Sequence, residues 1–355
     1  MKNLSDINVI KSVMSKHGVT FNKGLGQNFL VDPEVCPSMA KAAGLDENTC
    51  AIEIGPGVGV LTAELAKRAG KVLSFEVDSR LLPVLDETLA DFNNVEIINQ
   101  DVMKADLKKI IEEKCEGMEI AVCANLPYYI TSPIIMLLLE SKLPIKSITV
   151  MVQKEAADRL CAEVGSRDGG AVTVAVTYYA ESEKLFFVPR ESFLPPPKVN
   201  SEVIQLTVRS TPPVEVKNEE NFFKLVKAAF SQRRKTAENS ISAGLGISKD
   251  QVATALAEAG LEKTVRAEKM TIQDFATLSD VLFKKMIRPL QTIMICNGRI
   301  VFYISLVYSL SSGSQFISCT RNLTLSVFLI KSAISFVVFA VSGIYTPHSA
   351  RYVSP

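Results

Sequence analysis

The segment Ala124-Asn125-Leu126-Pro127-Tyr128-Tyr129-Ile130 carries groups suited to one uncommon reaction. The exocyclic amine of adenine is a poor nucleophile, because its lone pair is delocalised into the ring. Two acceptors, the Asn125 side-chain oxygen and the backbone carbonyl of Leu126 or Pro127, would hold both amine hydrogens. That geometry draws the nitrogen toward tetrahedral and frees the lone pair to attack an electrophilic methyl, with proximity and alignment supplying most of the rate. Tyr128 offers a ring on which the base stacks once it leaves its own stack. The bland alternative is a proline-containing turn with two core tyrosines.

A methyl donor has its own signature upstream. Ile52 to Thr62 reads as strand, glycine turn and helix start, with Gly55, Gly57 and Gly59 at alternate positions. Glycines let the backbone approach a ligand, and a helix start offers free N–H donors. Glu76, at the end of the next strand, is placed to take both hydroxyls of a ribose. A nicotinamide dinucleotide loop would want glycine where Val60 stands, so the GxGxG spacing suits S-adenosylmethionine better. Asp101 closes the third strand, where it either accepts from an adenine amine or simply caps the helix that follows.

Composition removes the competing chemistries. The only histidines are His17 and His348, too few for a protease triad, a histidine-rich zinc site or an imidazole base. The seven cysteines are scattered without a CxxC pair, and they read as small buried hydrophobes in a reducing compartment. The N-terminal stretch has no apolar run and no acid-free, arginine-rich character, so neither a secretory nor a transit signal is expected. No metal is expected.

Positioning these groups requires a sheet. Seven β-rich runs, 51–54, 71–77, 95–99, 120–125, 147–153, 171–179 and 202–208, are predicted as strands. Helical spacing fills 61–69, 79–92, 105–114 and 132–141 between them, which predicts crossover units and a largely parallel sheet. The last two strands are joined by a proline-rich stretch and should form an antiparallel edge pair. After Thr211-Pro212-Pro213 the pattern is all helical, with Gly244 and Gly260 expected as helix C-caps. The boundaries read from this are an N-terminal lid segment 1–50, a catalytic domain 51–211, a helical domain 212–288 and an apolar tail 289–355.

Five stretches then carry a resemblance: Gly-Gln-Asn-Phe-Leu (26–30), EIGPGVGVLT (53–62), NLPYYI (125–130), FLPPPKVNS (193–201) and FSQRRKT (230–236). In this order and spacing they resemble the ribosomal small-subunit adenine dimethyltransferases of the KsgA/RsmA type, relatives of the Erm methyltransferases. The resemblance covers about residues 3–286. It implies an α/β class I methyltransferase fold, Rossmann-like with a mostly parallel seven-stranded sheet, and a small all-helical C-terminal domain. The implied reaction transfers two methyls from S-adenosylmethionine to each of two adjacent adenines. These would lie in a hairpin near the 3′ end of small-subunit rRNA, modified on the immature 30S subunit in the cytoplasm.

The resemblance also implies residue roles. Gln27, Asn28 and Leu30 line the cofactor entrance; Gly55, Gly57 and Gly59 pass the methionine part; Glu76 takes the ribose and Asp101 the cofactor adenine. Asn125 lies between cofactor and target amine, and Phe193 is the second aromatic, closing a sandwich on the base opposite Tyr128. Packing under Pro195-Pro196-Pro197 is the other reading of Phe193. Two rivals share the adenine chemistry or the partner: an Erm-like large-subunit or DNA adenine methyltransferase, and an assembly factor acting mainly by binding. The FLPPPKVN and FSQRRKT stretches favour the small-subunit enzyme over a DNA enzyme.

Charge sharpens the RNA question. The chain has 39 Lys+Arg and 38 Asp+Glu, but residues 289–355 contain no acid and only Arg299, Arg321, Lys331 and Arg351. The remainder therefore has 35 cations against 38 carboxylates, net −3, and binding must rely on local patches. The best is Ser231-Gln232-Arg233-Arg234-Lys235-Thr236, expected at the end of the first helix of the small domain, with Gln232, Arg233, Arg234 and Lys235 as the RNA contacts. Lys23, Lys198, Lys224 and Lys227 could add to it. The tail has two competing readings, a frame-shifted or read-through terminus, or membrane attachment through 300–320 and 323–345. The first is preferred, and a monomer with no obligate protein partner is expected.

Overall fold

The computed structural model describes Leu4 and residues 6–20, 28–286, 290–296, 299–305 and 323–324. In chain order, helix α1 (Ile7–Lys16), strand β1 (Phe29–Leu30) and α2 (Val35–Ala42) lead into β2 (Thr49–Ile54). There follow α3 (Val60–Ala66), β3 (Lys71–Phe75), α4 (Leu82–Thr88), β4 (Val95–Ile98), α5 (Leu107–Lys114) and β5 (Glu119–Asn125). Next come α6 (Thr131–Glu140), β6 (Ile145–Gln153), α7 (Lys154–Leu160), α8 (Ala171–Tyr179), β7 (Ala180–Val188), β8 (Phe193–Leu194) and β9 (Ser201–Val208). Four helices close this part: α9 (Glu219–Ala229), α10 (Ala237–Leu245), α11 (Lys249–Glu258) and α12 (Ile272–Met286).

Seven strands form one sheet in the order β4-β3-β2-β5-β6-β9-β7. The first five run parallel, and β9 runs antiparallel between β6 and β7. Strand β2 is buried along its whole length, as a central parallel strand must be when helices cover both faces. Its side chains alternate between two cores. Ala51 joins α1 to α4 on one face, while Cys50, Ile52 and Ile54 join α5 and α6 on the other. The expected mostly parallel, seven-stranded α/β fold with a helical C-terminal region is what the chain adopts.

One strand is placed differently from expectation. Residues 171–179 form α8, and the edge strand is the following segment, β7. A nine-residue run of valine, alanine, threonine and tyrosine does not discriminate helix from strand by periodicity. The surroundings decide, because Val176 enters the sheet core while Val174 and Tyr178 enter the core of the C-terminal helices. A helix with two buried faces serves both. The Gly170 N–H donates to Thr173 Oγ1 at 2.9 Å and starts it.

Two smaller points also differ from expectation. Gly244 lies inside α10 and not at its end: a Cβ there would meet the Ala228 Cβ of α9 at 2.7 Å, so it serves close helix packing. The left-handed cap of α10 is Gly246, at φ 67°, whereas Gly260, at φ 75°, follows Ala259, the C-cap of α11, as the left-handed residue expected at that helix end. Cys50 and Cys115, which the sequence reading treats as scattered cysteines, lie side by side with Cα atoms 6.0 Å apart. Packing of α5 against β2 brings together two cysteines 65 residues apart, a proximity no local motif announces.

The described residues up to Phe283 belong to one compact unit. In the second unit, β10 (Leu290–Cys296), β11 (Arg299–Ser305) and β12 (Leu323–Thr324) form a three-stranded antiparallel sheet. Residues 300–305 of the first proposed membrane stretch are thus strand, and most of both stretches lies outside the described residues. Among the described residues no helix is long and apolar enough to cross a membrane.

Candidate active site

The C-terminal ends of β2, β3 and β5 open into a cleft of about 1180 Å³, part of it open to solvent. Open parallel sheets bind ligands at this end of their strands. The chain after β2 makes the glycine turn, with Gly55 at φ 75°, Gly57 at φ 60° and Gly59 at φ 90°. A Cβ on Gly57 would lie 3.2 Å from the Phe29 ring, whereas Gly55 has open space in that direction. Gly55 and Gly57 line the cleft. Gly59 instead caps α3, and Leu89 and Thr88 fill the space beside it.

Glu76 lies immediately after β3 and is 4% exposed. Its Oε1 accepts the Asp78 N–H at 2.7 Å, and the Gly57 and Val77 backbone also hydrogen-bond the carboxylate. Burial raises its pKa above the usual carboxylate range, and the backbone donors work against that rise. Deeper in the cleft is a second carboxylate to which sequence reasoning assigned no role. Glu53 is 1% exposed and accepts from Ser74 Oγ at 2.6 Å and Thr62 Oγ1 at 2.7 Å, on the same oxygen. Burial pushes its pKa to about 7 despite these donors. Its signal was present, since Glu53 opens the EIGPG stretch.

Asp101 also lines the cleft. Its Oδ1 accepts the Met103 N–H at 3.0 Å, and Oδ2 is 3.7 Å from Lys104 Nζ. The capping reading needs amendment: Asp101 closes a turn, and the N-cap of α5 is Asp106, which accepts from Lys109.

The end of β5 delivers Asn125, Leu126, Pro127 and Tyr128 into the same cleft. Two carbonyls competed for the role of second acceptor, and their bonding separates them. The Pro127 oxygen already accepts the Ile130 N–H and the Thr131 hydroxyl, both at 3.2 Å, which fills its two lone pairs. Leu126 is anchored through its N–H to the Met151 carbonyl at 3.2 Å, and among the described residues its own carbonyl is not engaged in this way. The pair able to receive an amine is therefore the Asn125 side chain and the Leu126 carbonyl. Tyr128 is half-buried, and burial raises its phenol pKa. Tyr129 is 61% exposed, so it is not a core residue.

The N-terminal segment closes one side. Strand β1 pairs antiparallel with β8, setting Phe29 opposite Leu194 and Leu30 opposite Phe193. Asn28, Leu30 and Phe193 all line the cleft. Phe193 is 2% exposed and belongs to the core shared by α1 to α4 while also reaching the cleft wall. Sequence reasoning missed Phe29, Cys36, Met39, Gln100 and Met151, which also line it. Most of these are ordinary core residues by type, and only tertiary contact marks them.

The cationic candidates are not in the cleft lining. Helix α9 ends at Ala229, so Gln232, Arg233, Arg234 and Lys235 lie in the exposed loop before α10, not on the last helical turn. Phe230 as C-cap and Thr236 as the next N-cap fix that loop. Lys198 is exposed in the loop before β9, and Lys224 is paired with Glu220 at 2.6 Å. Lys23 and Gln27 lie outside the described residues.

Comparison with known proteins agrees with this geometry. Residues 18–284 match the family described as ribosomal RNA adenine dimethylase. The chain is 50% identical to the ribosomal RNA small subunit methyltransferase A of Geobacillus thermodenitrificans, over 77% of this chain and 94% of the relative. It is 48% identical to that of Bacillus mycoides, over 79% and 98%. Among solved structures it resembles a dimethyladenosine transferase from Plasmodium falciparum, with a TM-score of 0.59 at 25% identity, covering 70% of this chain and 95% of that one. It also resembles the 23S rRNA methyltransferase ErmE, with a TM-score of 0.55 at 29% identity, covering 72% and 100%. In motifs, sheet order and the groups gathered at the end of β5, the chain is a methyltransferase belonging to the ribosomal RNA adenine dimethylase family.

Proposed function

We propose that the protein transfers methyls from S-adenosylmethionine to N6 of two adjacent adenines near the 3′ end of small-subunit rRNA, dimethylating each. The observation that carries this reading is the acceptor pair of Asn125 and Leu126, in one cleft with the glycine turn and Glu76. The small-subunit target is supported by relatives of 46–50% identity that bear that subunit's name. We place the reaction on the immature 30S particle in the cytoplasm, catalysed by a monomer.

The cleft fits the cofactor on its own chemistry. A turn with left-handed glycines leaves room for the methionine part beside Gly55, and the buried Glu76 carboxylate suits a ribose diol. Asp101 would take the adenine edge. When bound, the cofactor supplies an electrophilic methyl; everything else is the work of this chain. Asn125 and Leu126 hold the two amine hydrogens, and Tyr128 and Phe193 stack the extruded base. The proton left on nitrogen after transfer passes to solvent water at the open side of the cleft, so no protein base is needed. Gln232, Arg233, Arg234 and Lys235, with Lys23 and Lys198, would contact RNA phosphates, and the catalytic and helical parts would divide near residue 211.

The test is incubation with tritiated S-adenosylmethionine and immature 30S particles, 50S particles or DNA, followed by mapping of the labelled base. Label on two neighbouring adenines of the small-subunit RNA is expected, and it should vanish in Glu76→Ala while RNA binding persists. Label confined to 50S particles or DNA would overturn the target assignment. Full activity of Glu76→Ala would overturn the cofactor assignment.

A further inference from the structure

Ser201 closes the FLPPPKVNS stretch and has no part in the chemistry described so far. Its side chain is fully buried, and its Oγ lies 2.6 Å from the Tyr128 hydroxyl. The two residues are 73 positions apart. Ser201 opens β9 between two partners, opposite Gln153 of β6 and Val188 of β7. An anchor held in register on both sides shifts only if three strands shift with it.

Tyr128 has no comparable support from its own segment. It sits on a single short turn, Tyr128–Ile130, with its ring half-buried on the cleft wall. A tyrosine ring turns about two bonds, and a tether on the far hydroxyl restrains both. We infer that Ser201 is a positioning residue, holding the Tyr128 ring in the plane on which the target base stacks. An adenine stacked on a fixed plane presents its amine to Asn125 and Leu126 in one orientation. The phenol, raised by burial, stays protonated at working pH, so the tether is neutral and Tyr128 acts through its ring. This inference rests on the adenine-methylating function proposed above.

Misplacement of a reacting group by 1 Å costs up to about 100-fold, and loss of one tether should cost part of that. Ser201→Ala and Tyr128→Phe are each expected to lower kcat on the rRNA substrate by roughly ten-fold. The KM for S-adenosylmethionine should stay unchanged in both. Because the two changes break one and the same bond, the double variant should fall no further than either single variant. Ser201→Thr, which retains the hydroxyl, should recover most of kcat.

A second readout separates positioning from general destabilisation. A hairpin RNA with 2-aminopurine at the target position should be strongly quenched on binding the wild-type chain, and less so on binding Tyr128→Phe or Ser201→Ala. Should Ser201→Ala fail to fold, Tyr128→Phe alone carries the test, since its core is untouched. Wild-type kcat and wild-type quenching in Tyr128→Phe would overturn the inference, as would losses that multiply in the double variant. If the wild-type chain itself labels no small-subunit adenine, the proposed function fails instead, and the two failures are distinct.

Discussion

Leu30 and Phe193 are antiparallel partners across the lip of the cleft, joining the N-terminal segment to the segment after β7. Beside this pair the Val31 N–H donates to the Ser192 carbonyl, and the Ser192 hydroxyl donates to Asp32, both at 2.9 Å. The wall that would face the cofactor and the ring that would face the base are therefore parts of one small ladder.

That ladder makes Phe193 both a core residue and a wall residue, and two substitutions separate the roles. Phe193→Ala should destabilise the fold by about 3–5 kcal/mol through the cavity it leaves. Phe193→Leu fills most of the space, so it should keep a melting temperature close to wild type. Its kcat/KM for RNA should still drop, with cofactor affinity unchanged. Denaturant titration and methyl-transfer assays on both variants check this. Equal RNA activity in Phe193→Leu and wild type would exclude a stacking role.

Two glycines of the turn should respond differently to the same change. At Gly57 an added Cβ meets the Phe29 ring at 3.2 Å on a left-handed backbone, so Gly57→Ala should cost about 1–2 kcal/mol of stability. At Gly55 the added methyl meets nothing, which leaves only backbone strain. Gly55→Ala should thus be the milder change for folding, yet it should weaken cofactor binding measured by calorimetry.

Glu53 predicts a pH dependence of stability. Its carboxyl titrates at about 7 when folded, against an ordinary value of 4.5, so between these the folded state binds the extra proton. Stability should therefore fall as pH rises from about 4.5 to about 7 and then level off, a loss on the order of 3 kcal/mol. Glu53→Gln keeps an acceptor for Ser74 and Thr62 but does not titrate, and should be free of that slope. Urea denaturation at pH 5.5 and pH 8 measures the difference. Parallel behaviour of variant and wild type would contradict the assignment.

Arg233 and Arg234 predict a salt effect without a cofactor effect. Each phosphate contact adds about one to the slope of log affinity against log salt. Replacing both arginines by alanine should weaken rRNA binding and flatten the slope by about one to two. Filter binding across a salt series reads this directly, and an unchanged slope would remove the loop from the RNA surface.

Several features of this protein are carried by the sequence itself. The glycine turn, Glu76 and the Asn125–Tyr128 segment are local arrangements whose residue types dictate their backbone and chemistry, so they are legible without a fold. Hydrophobic periodicity likewise determined five parallel strands and the helical C-terminal region, because burial on two faces leaves a continuous apolar run. Tertiary structure decided the rest wherever the choice depended on neighbours distant in sequence. Residues 171–179 became a helix because they face two cores at once, and Gly244 lies within a helix because Ala228 approaches it. Leu126 rather than Pro127 is the available acceptor because Ile130 and Thr131 have already filled the Pro127 oxygen. Ser201 reaches Tyr128 only because strand order sets β9 beside β6, a proximity that no spacing along the chain encodes.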